Sequence, residues 1–129
     1  MLLVKVTLQP SPIHGLGIFA AEDIAQGQIA WRFDPRIDPL IPQEEVTSLP
    51  EGVQEFLYTY GYVTEMHGRR WVLLCGDHAK HTNHADHPNL GETEDQGLPA
   101  EVALRDIAAG EELTCNYYDF DLEADYDYH

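Results

Sequence analysis

The stretch Cys75–Leu90, CGDHAKHTNHADHPNL, carries two overlapping patterns. Histidine returns every third residue, at His78, His81, His84 and His87. The same letters hold Asn83-His84 followed by Pro88-Asn89. Metal-binding histidines on a helix sit at i and i+4. A ladder of i, i+3 steps aligns only on a 3₁₀ turn, which rarely runs far. Pro88 and the neighbouring Asn and Asp residues oppose a regular helix of any kind. A zinc cage also needs three or four converging ligands. No metal site is expected, and the Asn-His and Pro-Asn pairs become the pattern to explain.

The bulk of the chain narrows the choices. Its 129 residues suit one domain, 1–129, large enough to bury a core. Hydrophobic residues make up 43%, too many for a disordered tail. No apolar run reaches the ~20 residues of a membrane span. The opening MLLVKVTLQPSP lacks the basic region and long apolar core of a signal peptide. The formal charge is −16, from 23 acids against 7 Lys and Arg. Phosphate binding needs a basic face, so neither a nucleic acid nor an anionic membrane is an expected partner. A basic protein segment would be attracted. Cys75 and Cys115 lie in the apolar runs WVLLC and ELTCNY, with no C-x-x-C pair, and read as buried thiols.

Apolar runs alternate with Gly and Pro punctuation along the chain. LLVKVTL reads as a first strand, and Ile18-Phe19, Gly27 and Ile29–Trp31 as strand, turn, strand. FDPRIDPLIP, with three prolines in ten residues, reads as a loop or edge segment. Val53, Phe56, Leu57 and Tyr60 recur at i, i+3, i+4, i+7, so a helix is expected up to Gly61. RRWVLLC, AEVALRDI and ELTCNYY read as further strands, and the acidic tail of about 119–129 as loosely held. DIAQGQI, from Asp23, echoes DIAAGEEL, from Asp106, each as a turn feeding a strand at its glycine. The chain is mostly β with one or two short helices. No βαβ alternation supports a dinucleotide fold.

Three motifs taken together carry a resemblance. HGLGIFAAEDIAQGQIAW, HTNHADHPNL and ALRDIAAGEELTCNYY, in this order, resemble the G-x-G, N-H-x-x-x-P-N and G-E-E-L-T-x-x-Y motifs of the SET-domain protein lysine methyltransferases. The resemblance covers about residues 12 to 120 and is closest to the short, stand-alone bacterial and viral members. It implies a β-clip fold of several small antiparallel sheets, with the C-terminal motif threaded as a pseudoknot. It implies S-adenosylmethionine as cofactor, held by His14, Gly15, Leu16 and Gly17, by the Asn83 side chain and by the His84 backbone. It implies Tyr117 as the catalytic residue of a methyl-transfer pore. Trp31, Phe33, Tyr58, Tyr60 and Phe120 are candidate walls for a lysine stem.

The implied activity is transfer of a methyl group to lysine side chains of a basic protein or peptide. A non-catalytic module binding the cofactor or a basic peptide is the alternative. His81 stands where the family usually has an aromatic residue, Asn116 where it has an acid, and the Ser-Cys after Asn-His is replaced by Ala85-Asp86. The zinc-binding segment that closes the channel in larger members is missing. The acidic tail or a second subunit is expected to close it, which allows a homodimer. A bacterial source would make the location cytoplasmic; a nuclear or host-cell location stays open.

Overall fold

Two turns of nearly the same sequence bind each other at the centre of the molecule. Ile24 and Ile107 exchange both backbone bonds, each 2.8 Å long. The Asp23 carboxylate accepts the Ala109 N–H at 3.0 Å, and Asp106 accepts the Gln26 N–H at 2.8 Å. Each aspartate thus caps the opposite turn rather than its own. Gly27 and Gly110 close the turns at φ of 84° and 94°, a region that favours glycine. Ile24 and Ile107 are both 1% exposed and sit in one core cluster with Ile18, Leu90, Ala103 and Leu113. The echo between DIAQGQI and DIAAGEEL is therefore a pair of reciprocal turns.

The structure, a computed structural model, describes residues 1–122. Four small sheets surround the paired turns. Strands β1 (Val6–Pro10) and β2 (Leu16–Ala20) form an antiparallel hairpin across the G-x-G loop. Next come β3 (Ile29–Arg32), β4 (Leu40–Pro42), the short helix α1 (Gln43–Val46) and the helix α2 (Glu51–Tyr60). They are followed by β5 (Tyr62–Met66), β6 (Arg69–Leu73) and β7 (Asn83–His84), then β8 (Leu90–Asp95), β9 (Leu98–Ala103) and β10 (Thr114–Cys115). One sheet runs β3-β9-β8 and another β4-β6-β5, both antiparallel. The helix α2 ends at Tyr60 as the periodicity predicts, and buries Leu57 with Val46, Val63 and Val72. FDPRIDPLIP supplies the edge strand β4, where Pro42 ends the pairing.

The first strand differs from expectation. Residues 1–3 lie along β3, with the Leu3 N–H bonded to the Ala30 carbonyl at 2.8 Å. The Met1 ammonium binds the buried Asp38 carboxylate at 2.7 Å. Only from Val6 does the chain pair with β2. LLVKVTL is divided because its two ends serve different sheets, with the Val4 side chain buried between them. The tail is also held further than expected. Residues 117–119 form a 3₁₀ turn, the Leu122 N–H bonds the Val63 carbonyl at 3.0 Å, and Asp121 accepts the Val63 N–H at 3.0 Å. The remainder of the expected tail, residues 123–129, lies outside the described residues.

The last sheet is parallel and has two residues per strand. Thr114 pairs with Asn83, and Cys115 with His84. The segment entering it is gripped from both sides. On one side the Leu113 N–H bonds the Ile18 carbonyl at 2.9 Å. On the other, the buried Asn89 amide donates to the Glu112 carbonyl at 2.8 Å and accepts the Thr114 N–H at 2.9 Å. Asn89 is thus a clamp on the C-terminal motif, which explains the Pro-Asn pair structurally. Asn89→Ala leaves the Thr114 N–H unpaired inside the protein, and each such orphan costs about 1–3 kcal/mol. Urea unfolding should show a stability loss of about 1–3 kcal/mol, and an unchanged midpoint would show that the clamp carries no stability.

Candidate active site

The G-x-G loop and β7 meet through one side chain. The Asn83 amide nitrogen donates to the His14 carbonyl at 3.1 Å, to the Leu16 carbonyl at 3.1 Å and to Glu112 Oε2 at 3.0 Å. The Ser11 hydroxyl bonds the same carboxylate at 2.8 Å. A side chain at Gly17 would land against the Glu112 carboxylate and 3.1 Å from Asn83 Nδ2, so this glycine is required for close approach. Gly15, at φ of 45°, has open space around it, and His14 and Leu16 are exposed. The loop is pinned from behind and free in front. Glu112 is the member the sequence reading passed over; its place in GEEL was the available signal.

The Ala85 N–H, rather than the backbone of His84 itself, bonds the Cys115 carbonyl at 3.0 Å, and the His84 ring bridges the next turn. Nδ1 accepts the Tyr117 N–H at 3.2 Å, which puts the ring proton on Nε2, 3.1 Å from Asp86. His81 packs edge-on against Tyr60, 5.5 Å between centroids, while His78 and His87 are exposed. The four histidines therefore point to different neighbours, because residues 78–81 form a 3₁₀ turn and His84 starts a strand.

A cleft opens beside Tyr117. Its walls include Trp31, Tyr60, Tyr62, Thr82, Cys115 and Phe120. The Tyr117 hydroxyl donates to the Thr82 carbonyl at 2.5 Å. That bond fixes the phenol on the wall of the cleft. Phe120 stands edge-on to Tyr62 at 4.8 Å, so the first residues after the C-terminal motif form part of the wall. Of the five aromatics singled out in the sequence, Trp31, Tyr60 and Phe120 line the cleft. Phe33 is buried in the core, and Tyr58 lies exposed on α2.

The unexpected members are charged. Glu101 lies in the cleft with Trp31 and Glu92 as its cross-strand neighbours. The residue keeps partial exposure, yet burial of its carboxyl, with Glu92 beside it, pushes its pKa up to about 7. Burial also drives the Tyr62 hydroxyl and the thiols of Cys75 and Cys115 well above their usual ranges. The Trp31 indole N–H is buried without a hydrogen-bond partner among the described residues.

A family profile described as the SET domain matches residues 15–118. The chain belongs to the SET-domain family. Among curated protein sequences none matches this SET domain. Among solved structures, it resembles Chaetomium thermophilum Polycomb Repressive Complex 2 in an autoinhibited state, with 27% identity and a TM-score of 0.72. The same complex bound to S-adenosylmethionine matches at 26% identity and a TM-score of 0.69. Each match covers 93% of this chain and 16% of the Polycomb chain. A Plasmodium falciparum putative histone methyltransferase, at 23% identity and a TM-score of 0.63, shares the fold over 88% of this chain and 93% of its own.

Glu101 gives the SET domain a pH signature. Its folded pKa, about 7, lies above the ordinary value of 4.5. The native state is therefore penalised once pH rises past 4.5, increasingly up to 7, and then by a constant amount. Discounted for partial exposure, the penalty is about 1–3 kcal/mol. Glu101→Gln should stabilise the fold by that amount at pH 8, with the gain fading at acid pH. Urea midpoints at several pH values measure it; an equal shift at all pH values would refute the assignment.

Proposed function

We propose that this SET domain is an S-adenosylmethionine-dependent protein-lysine N-methyltransferase acting on lysines in a basic protein segment. One observation carries the reading. The Tyr117 hydroxyl, on the wall of an aromatic cleft, is fixed by the Thr82 carbonyl, and the next residue, Asn83, pins the G-x-G cradle. The Polycomb complex that matches this chain has been seen bound to S-adenosylmethionine, and the activity is carried over from that likeness.

The cradle fits the cofactor's amino-acid end. The carbonyls of His14 and Leu16, each with a second lone pair beyond the Asn83 bond, are acceptors suited to an ammonium, and the Asn83 amide holds them in place. Gly15 leaves the front of the loop open, so His14 to Gly17 can meet a ligand through backbone. His84 and Tyr118, with rings 5.7 Å apart and nearly perpendicular, offer aromatic surface at the other end. When bound, S-adenosylmethionine supplies an electrophilic methyl group on a positively charged sulfur.

The chain's own residues then have three tasks. Trp31, Tyr60, Tyr62 and Phe120 sheathe the lysine stem and exclude water. Tyr117, already donating to Thr82, accepts a hydrogen bond from the target nitrogen and orients its lone pair. The formal charge of −16 draws a basic segment to the cleft by long-range attraction.

Two variants test the reading separately. Asn83→Ala removes the amide from the cradle and should weaken S-adenosylmethionine binding by about 1–3 kcal/mol in calorimetry. An unchanged affinity in a folded protein removes the cradle from the site. Tyr117→Phe keeps the ring and loses one hydrogen bond, at a stability cost of about 1 kcal/mol. Its single-turnover methyl transfer to core histones should fall by roughly 10²-fold or more, with cofactor affinity little changed. Normal transfer by a stable Tyr117→Phe protein would show that the hydroxyl has no part in the chemistry.

A further inference from the structure

Glu101 and Glu92 stand directly opposite each other on β9 and β8. Like charges at such positions destabilise a sheet. On the same sheet Asp95 is neutralised by Arg32 at 2.8 Å, so the fold can pair an acid here when it needs to. Neither the Glu92 nor the Glu101 side chain has a hydrogen bond or ion pair to any described residue. Both instead line the cleft that holds Tyr117, with Glu92 at the exposed rim and Glu101 more deeply placed. An unpaired carboxylate that raises the energy of the empty site is suited to a cation that arrives later.

We propose that Glu101 is the base of this cleft, taking the proton that a target lysine must lose before its nitrogen can react. The proposal rests on the methyltransferase reading above. A lysine ammonium has no lone pair, and its usual pKa is about 10.4. In the cleft it meets Glu101 as an ion pair. One N–H bond breaks, its electron pair stays on nitrogen, and the proton goes to a Glu101 oxygen. The freed lone pair forms the new N–C bond to the methyl carbon as the C–S bond breaks, its electrons passing to sulfur. The product leaves as a methylated ammonium, and the proton on Glu101 returns to solvent past Glu92. Charge and atoms balance, with one proton released per methyl transferred.

The other groups around the cleft are otherwise engaged. The Tyr117 hydroxyl is donated to Thr82, and Asp121 accepts the Val63 N–H. His84 Nδ1 is occupied by the Tyr117 N–H. Burial keeps the thiols of Cys75 and Cys115 and the Tyr62 phenol in their neutral forms at pH 7. Tyr60 is a phenol in contact with His81, and the Lys80 ammonium lies 5.9 Å from the centre of the Phe56 ring. The Met1 ammonium is the cation that draws on Glu101 electrostatically, and it is already bound to Asp38. Glu101, poised near neutrality by burial and by Glu92, has the basicity that proton transfer at physiological pH calls for.

The test uses the full chain, its Glu101→Gln variant, labelled S-adenosylmethionine, and core histones with poly-lysine as probes. Single-turnover rates are measured from pH 6 to pH 10. The wild type should level off above about pH 7, while Glu101→Gln should be at least tenfold slower at pH 7 and rise about tenfold per pH unit, as the amine alone supplies the neutral form. Cofactor affinity should match the wild type. A carboxyl ¹³C titration read by nuclear magnetic resonance should show one glutamate titrating near pH 7, absent from Glu101→Gln, with no substrate present. If the variant keeps the wild-type pH profile, or no glutamate titrates near neutrality, Glu101 is not the base, although the methyltransferase reading stands. If the wild type transfers no methyl group to either probe at any pH, that reading fails and this proposal falls with it.

Discussion

Two residue pairs, Thr114 with Asn83 and Cys115 with His84, hold the site together. This short parallel contact lets the C-terminal motif share a site with the G-x-G loop. Asn83 turns its backbone to β10 and its side chain to the His14 and Leu16 carbonyls. Glu112 meets the same amide from the other direction. Two further bonds carry the arrangement towards the cleft, from the Tyr117 N–H to His84 and from its hydroxyl to Thr82. Two-residue strands cannot hold themselves by ladder bonds alone. The stability comes from the buried Asn89 clamp and from Leu113, which is fully buried among Ile18, Ile24 and Ile107.

Much of this was legible in the residues. The helix ending at Tyr60 followed from its apolar spacing, and the edge strand β4 from its prolines. The family followed from three motifs in order, because glycines, an Asn-His and a GEEL at those places answer to close backbone approaches and specific side-chain bonds. What escaped the reading were features set by partners distant in sequence. Nothing in LLVKVTL shows that its first three residues bond to β3 and its last to β2. Glu92 and Glu101 look like ordinary solvent-facing acids of alternating strands. Only the register of β8 and β9 brings them together, and only the fold places Tyr62, Tyr117 and Phe120 in the same cleft lining. Phe33 and Tyr58 were equally ambiguous, since aromatic residues serve cores, surfaces and clefts alike.

Charge works here at two ranges. The excess of acids over the whole surface is screened within about 8–10 Å in physiological salt, so it guides encounter rather than chemistry. Inside the cleft, burial reduces that screening, and the same kind of side chain changes character. Glu101 binds its proton far more tightly than an exposed glutamate does. Arg32 and Asp95 on the same sheet show the ordinary structural use of charge, in which each partner satisfies the other.

The reciprocal turns have a consequence for how the chain comes to its native state. Asp23 caps a turn at Ala109, and Asp106 caps a turn at Gln26. Neither turn can finish its hydrogen bonding within its own half of the sequence. The contacts that settle them span most of the polypeptide, and contacts of such separation make folding slow and all-or-none. During synthesis the first turn must wait, with Ile24 uncovered, until Ile107 has emerged and can be reached. An early-stopped chain of this protein would therefore be no smaller version of the fold, but an open hairpin with an apolar centre and no partner for it.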